Sequence, residues 1–140
     1  MAIANAKLAY RHYLQTFAGQ RWEYLAGKGA TPQRVLWAST STKNPAYPDT
    51  LYVEQLLGAD TVDTMPEDTI MAYQDHGDPQ LRLSSGLDEA QQVFDELERA
   101  GVDYDDVTDT LEREGVEKFS ASFEQLLEAL RAKQQSLAPA

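Results

Sequence analysis

Apolar residues fall at helical intervals over most of this chain, and the interval is broken twice between residues 31 and 66. Arg34–Ala38 (RVLWA) is nearly continuous in apolar character, as a strand covered on both faces should be. Thr61–Met65 (TVDTM) is the second strand-like run. Between them, Asp49 is placed to cap a helix carrying Leu51, Tyr52, Leu56 and Leu57. Strand, polar loop, helix, strand is the order of a βαβ unit with a parallel pair.

Helices are predicted on both sides of this unit. Residues 2–18 are rich in alanine, carry Ile3, Leu8, Tyr10, Leu14 and Phe17, and meet no breaker before Gly19. A short helix over 20–26 carries Trp22 and Leu25 and ends at Gly27, and Trp22 and Tyr24 read as core or packing residues. Thr64 and Glu67 have capping-box spacing, and Pro66 suits a first turn, so a helix is expected over 65–75 with its end at Gly77. Residues 77–87 read as a loop, and Ser85 or Asp88 then starts a helix through about Ala100. Asp103 caps a helix over 104–114 that Gly115 should end. Val116, Phe119, Phe123, Leu126, Leu127 and Leu130 form an apolar stripe on a last helix reaching about residue 134, with Ser136–Ala140 frayed beyond it. The domain reading is one partial domain over 1–140: helices over 1–30, the βαβ unit over 31–66, and a helical part over 67–140.

Charge singles out the loop of the βαβ unit. The chain has formal net charge −11, yet residues 24–48 contain no Asp or Glu and do contain Lys28, Arg34 and Lys43. The first strand runs directly into Ser39-Thr40-Ser41-Thr42-Lys43-Asn44-Pro45. Hydroxyls, backbone N–H groups and a lysine at the carboxyl end of a strand suit a phosphate. The plain alternative is that Ser, Thr, Asn and Pro simply build a turn.

LWASTSTKNPAYPDTLYVEQLLG followed by DTVDTMPEDTI closely resembles the C-terminal part of transaldolases. The opening AIANAKLAYRHYLQTF and the stretch from Asp75-His76-Gly77 onward resemble that family as well, so the likeness covers essentially the whole chain. The resemblance implies an α/β fold: the C-terminal portion of a TIM (β/α)8 barrel, mostly helical with two parallel strands and not a complete barrel. RVLWA would be strand seven and TVDTM strand eight. It implies transfer of a dihydroxyacetone unit between sugar phosphates through a lysine Schiff base, with no metal or organic cofactor. By resemblance Ser39 and Lys43 hold the substrate phosphate, with Thr40 and Asn44 as neighbours; barrels recurrently bind phosphate after strands seven and eight. Asp63 departs from the family pattern, where an Asn is expected, and a carboxylate near a phosphate needs to point away or find a cation.

The same mapping starts this chain after strand six. The Schiff-base strand and the acidic catalytic residues would lie upstream, and no catalytic residue is assigned here. None of Lys7, Lys28, Lys43, Lys118 and Lys133 stands in an apolar strand context. Met1 set directly against a helix also suggests a chain cut from something longer. The expected partners are sugar phosphates and the N-terminal barrel half or a parent polypeptide. Two strands cannot close a barrel, so some of Val35, Trp37, Val62 and Met65 should be exposed.

Composition narrows the remaining classes. There is no cysteine, which removes disulfides and thiolate metal sites, and the two histidines, His12 and His76, are too scattered for a metal centre. Nucleic acid is disfavoured by a sequence pI near 4.4. No apolar run approaches a membrane span, and Lys7, Arg11 and His12 interrupt any signal-peptide core, so the expected location is cytoplasmic. The acids from Asp88 to Glu128 read as solvated helix faces. Two alternatives to a transaldolase part remain on the sequence alone: a non-enzymatic helical interaction module, and a small independent phosphate binder.

Overall fold

The computed structural model describes residues 1–137. Its elements are α1 (Ala2–Thr16), α2 (Gly19–Ala26), β1 (Val35–Trp37), α3 (Leu51–Gln55), β2 (Thr61–Asp63), α4 (Glu67–His76), α5 (Leu87–Arg99) and α6 (Tyr104–Leu137). The fold is mostly helical with one parallel pair and no closed barrel among the described residues. Val35 pairs with Thr61, Leu36 with Val62 and Trp37 with Asp63. Two compact units are present, Met1–Glu96 and a second from Leu97 onward.

The first unit is held by a small aromatic and aliphatic core. Tyr10, Tyr13, Leu56 and Leu83 form its buried centre, with Phe17, Val35 and Trp37 packed against it. The 3-and-4 spacing of Tyr10, Tyr13 and Phe17 on α1 puts these rings in one row. Tyr10 and Tyr13 stack at 5.9 Å, Tyr13 and Phe17 lie 5.1 Å apart, and Trp22 of α2 meets Phe17 edge-on at 4.8 Å. Trp22 is thus a packing residue, as expected, whereas Tyr24 is not a core residue: it is 66% exposed, with Lys28 Nζ 5.5 Å from its ring centre. Polar ties then fix α1 to the chain around it: the Tyr10 hydroxyl donates to Ala59 O at 3.1 Å and Lys7 Nζ to Ser85 O at 2.8 Å. Burial, then the Asp60 charge and Tyr13, pushes the Tyr10 hydroxyl above its ordinary pKa.

Several expectations are corrected. β1 is not covered on both faces: Val35 and Trp37 turn toward the core while Leu36 stays 54% exposed. A near-continuous apolar run satisfies one packed face and leaves the other open for want of a layer to cover it. Val35, Trp37, Val62 and Met65 are half-buried rather than fully exposed. Asp49 does not cap α3; Thr50 holds that position, and its hydroxyl donates to Glu54 Oε1 at 2.9 Å. The capping box at α4 does not form either. Pro66 is the N-cap without a side-chain bond, and the Thr64 hydroxyl turns back to Trp37 O at 3.3 Å. Across the pair the strand-end carbonyl wins that hydroxyl from the helix.

In the second unit, Asp103 behaves as read: its Oδ1 accepts from the N–H groups of Asp105 and Asp106, both at 3.1 Å. Gly115, however, does not end a helix, and α6 runs unbroken for 34 residues. A mid-helix glycine costs about 1 kcal/mol and does not by itself force a stop. Of the tail expected to fray, Ser136 and Leu137 belong to α6, and residues 138–140 lie outside the described residues.

Candidate functional site

The carboxyl ends of β1 and β2 point the same way, so the segment after β1 and the end of β2 share one rim. A cavity of about 600 Å³ opens there, lined by Trp37, by the 38–44 loop and by Asn5, Ala6 and Ala9 of α1. No acidic residue lines it.

Ser39 sits at the turn from strand into loop with φ of 59°. That left-handed conformation is uncommon for a residue with a side chain and is tolerated where the surroundings enforce it. Here the enforcement comes from both sides. Upstream, Trp37 O accepts from Thr64 N at 2.9 Å. Downstream, Thr40 is only 3% exposed, and its hydroxyl donates to Asp63 Oδ1 at 2.9 Å, with Thr64 O at 3.3 Å. Ser39, between two fixed residues, is exposed.

Beyond it the loop is laced internally. Lys43 Nζ donates to Ser41 Oγ at 2.7 Å, an exposed contact within the loop. Asn44 Oδ1 accepts from Ala46 N at 2.9 Å, an Asx-type turn that lets the chain reverse before Pro48. The Thr42 hydroxyl donates to Asp49 O at 3.2 Å. The four residues singled out from sequence therefore fall into two kinds. Ser39 and Lys43 line the cavity with exposed side chains. Thr40 and Asn44 also line it, yet each spends its side chain on holding the loop.

Asp63 is the part that sequence reading flagged without explaining. Its carboxylate turns to Thr40 and does not line the cavity. Burial pushes its carboxyl above the ordinary aspartate range, and the Thr40 hydrogen bond offsets part of that. Ser41, in sequence only one hydroxyl of the cluster, is the partner of Lys43. A hydroxyl two residues before a lysine in a tight loop is the signal that could have found it.

A second polar cluster flanks the loop. His76 Nε2 lies 2.9 Å from Asp49 Oδ1 and its Nδ1 3.2 Å from Asp75 Oδ2. Hydrogen bonds to Asp49 first, then Asp75, raise the histidine's pKa, and the same contact lowers that of Asp49.

Comparison with known proteins now bears on this arrangement. The family model for transaldolase/fructose-6-phosphate aldolase matches residues 1–130. The chain belongs to that family. The transaldolase of Acidothermus cellulolyticus is 58% identical over 130 residues, which are 92% of this chain and 35% of that protein. That of Frankia alni is 55% identical over 127 residues, 90% of this chain and 34% of the relative. Transaldolase 2 of Streptomyces avermitilis is 47% identical over 138 residues, 98% and 37% of the two chains. This member of the transaldolase family thus spans about a third of the length of the curated relatives it matches.

Proposed function

We propose that this chain supplies the phosphate-binding end of a transaldolase active site, as strands seven and eight and the C-terminal helices of a (β/α)8 barrel. The observation that carries the reading is the acid-free cavity at the carboxyl ends of a parallel strand pair, rimmed by Ser39 and Lys43. In this reading the full enzyme moves a dihydroxyacetone unit from sedoheptulose 7-phosphate to glyceraldehyde 3-phosphate, in the pentose phosphate pathway of the cytoplasm. Lys43 gives the phosphate a point charge, and the Ser39 hydroxyl and loop N–H groups give it donors. Binding the phosphate, remote from the reacting carbonyl, orients the ketose for attack by an amine.

That amine belongs to a strand outside this chain. Lys7 lies on α1, Lys118 and Lys133 on α6, and Lys28 and Lys43 in turns and loops, so none of the five lysines is on a strand. Carbinolamine formation, loss of water and C–C cleavage, with the iminium taking up the electron pair, are therefore assigned to the complementary part. Among the described residues no helix is long and apolar enough to cross a membrane.

The test is activity of this chain alone and mixed with a polypeptide carrying the first six strands, on fructose 6-phosphate and erythrose 4-phosphate, with borohydride trapping. Turnover only in the mixture, with the trapped adduct on the other polypeptide, is the expected result. An adduct on one of this chain's own lysines overturns the assignment. A folded mixture without turnover favours a non-enzymatic helical module instead.

A further inference from the structure

Among the described residues, two other than glycine hold a positive φ, Ser39 at 59° and Asp60 at 56°. Aspartate visits that region readily, because its short polar side chain bonds locally; serine has less claim to it. Glycine would meet the turn at position 39 without strain. Serine meets it with strain and brings a hydroxyl to the cavity wall. Strain kept at a binding rim points to a use for the side chain that carries it. Both neighbours of Ser39 are gripped by one dipeptide at the end of β2. Trp37 O, two residues upstream, accepts from the N–H and the hydroxyl of Thr64 at 2.9 and 3.3 Å. Thr40, one residue downstream, is buried and turns its hydroxyl to Asp63 Oδ1 and Thr64 O. Neither Asp63 nor Thr64 lines the cavity.

We propose, resting on the phosphate reading of this cavity, that Thr40 is a positioning residue of the site and not one of its ligands. Anchored to Asp63 and Thr64, it fixes the left-handed turn that presents the Ser39 hydroxyl to the phosphate. The proton count separates the two roles. A hydroxyl has one proton to donate. That of Thr40 goes to the Asp63 carboxylate at 2.9 Å, a charge-assisted bond. A phosphate dianion only accepts, so it finds no donor in Thr40 while that bond stands. Ser39 is exposed on the same wall, and its hydroxyl is free to serve. The register of the strand pair, Trp37 beside Asp63, is thereby carried into the site. The end of β2 sets where a serine on the end of β1 stands without touching the ligand itself. A valine at position 40 keeps the branched shape of threonine and loses the donor. The turn is then released toward the right-handed and extended regions that serine prefers.

Nuclear magnetic resonance of the full chain reads the turn without any assay of turnover. The Cα and Cβ shifts of Ser39 and its HN–Hα coupling should report the left-handed conformation in the parent and in Thr40→Ser. In Thr40→Val they should move away from it, while those of Asp60 stay. Unmoved Ser39 values in a folded Thr40→Val chain overturn the positioning role. Kinetics of the chain mixed with the six-strand polypeptide read the consequence. Thr40→Val should raise KM for fructose 6-phosphate about tenfold, and Thr40→Ser, which keeps the donor, should hold it near the parent value. Ser39→Gly accepts the turn and loses the hydroxyl, so it should raise KM about as much as Thr40→Val. Adding Thr40→Val to Ser39→Gly should change KM by less than about twofold, because both changes remove the same contact. A full tenfold increase on top makes Thr40 a ligand in its own right and overturns the proposal. That last comparison stands even where Thr40→Val alone does not fold, since glycine accepts the turn unaided. Ser39 values that move while neither single variant alters KM overturn the phosphate reading and, with it, the link between this turn and substrate.

Discussion

The best-buried side chain of the first unit belongs to a loop rather than to a regular element. Leu83 is fully buried, and its backbone N–H reaches Leu57 O at 3.1 Å. It fills the space beside Gly58 so closely that a Cβ built there would lie 2.6 Å from Leu83 Cδ2. Leu83→Ala should cost about 3 kcal/mol through lost transfer energy and residual cavity, and Gly58→Ala should destabilise through overlap that the packed leucine cannot relieve. Urea denaturation checks both. The double variant should be less destabilised than the sum of the two, since removing the isopropyl group relieves the Cδ2 and Cγ overlaps with the new methyl and leaves only the Cβ contact at 2.8 Å. Asp63 and Thr40 make the second residue-scale case. Thr40→Val leaves a half-buried carboxylate without its donor and should destabilise by about 1–2 kcal/mol. The sign with pH follows from the raised carboxyl pKa of folded Asp63. The folded state holds the proton more tightly than the unfolded chain, so stability is lost as pH rises through and above the ordinary aspartate value. Asp63→Asn keeps an acceptor for Thr40 without the charge. Its stability relative to the parent should rise over that interval, and a flat difference would show that the carboxylate is not held as described.

At the scale of elements, short α3 is stabilised from outside itself. Glu54 takes the Thr50 hydroxyl and the Asp78 N–H at 3.2 Å, and Arg82 reaches Glu54 Oε2 at 3.8 Å while pairing with Asp78. One helical turn is thereby pinned to the 77–86 loop. The His76 cluster performs a similar task for the far end of the 39–50 loop, joining Asp49 to the last residue of α4. The sign here is set by two shifts. His76, raised in the folded state, contributes stability below the ordinary histidine value that is lost as pH rises through its folded pKa. Asp49, lowered, contributes stability at higher pH that is lost as pH falls through its folded pKa. Thermal melting should therefore show the clasp between those limits, with the excess stability over His76→Gln shrinking at either end. Both groups are exposed, and added salt should shrink it as well. These cases also mark how far sequence can be read. Element type and order, the acid-free loop, and Asp103 as a cap were legible because each depends on neighbours in the chain. The fates of Asp49, Thr64 and Gly115 were not. Asp49 and Thr64 found partners 27 residues away, and Gly115 met no competing structure to end its helix.

At the scale of the whole molecule, the parallel pair is the informative defect. A sheet of two strands has two unpaired edges, and β1 keeps Leu36 open on one face. Parallel sheets are ordinarily buried on both faces and continued on both sides, because their crossovers supply the covering layers. Each strand here is three residues long, so the ladder has few bonds to lose when it opens. Edges and an open apolar face together are what a slice through a barrel would leave, and the cavity above the strand ends then lacks the walls that would enclose a ligand. Hydrogen exchange tests this without any assay of turnover. In the chain alone, amides of Val35–Trp37 and Thr61–Asp63 should exchange far faster than those of α1, whose aromatic row forms the core. Adding the six-strand polypeptide should slow the strand amides by a hundredfold or more, about 2.7 kcal/mol in opening free energy, and leave α1 nearly unchanged. Lys43→Ala should show the same protection on mixing, since its side chain is exposed in the loop, but should raise KM for fructose 6-phosphate about tenfold. If mixing fails to protect the strands, the pair is not an interior part of a larger sheet. If protection appears and Lys43→Ala leaves KM unchanged, the sheet is completed as described and the phosphate lies elsewhere.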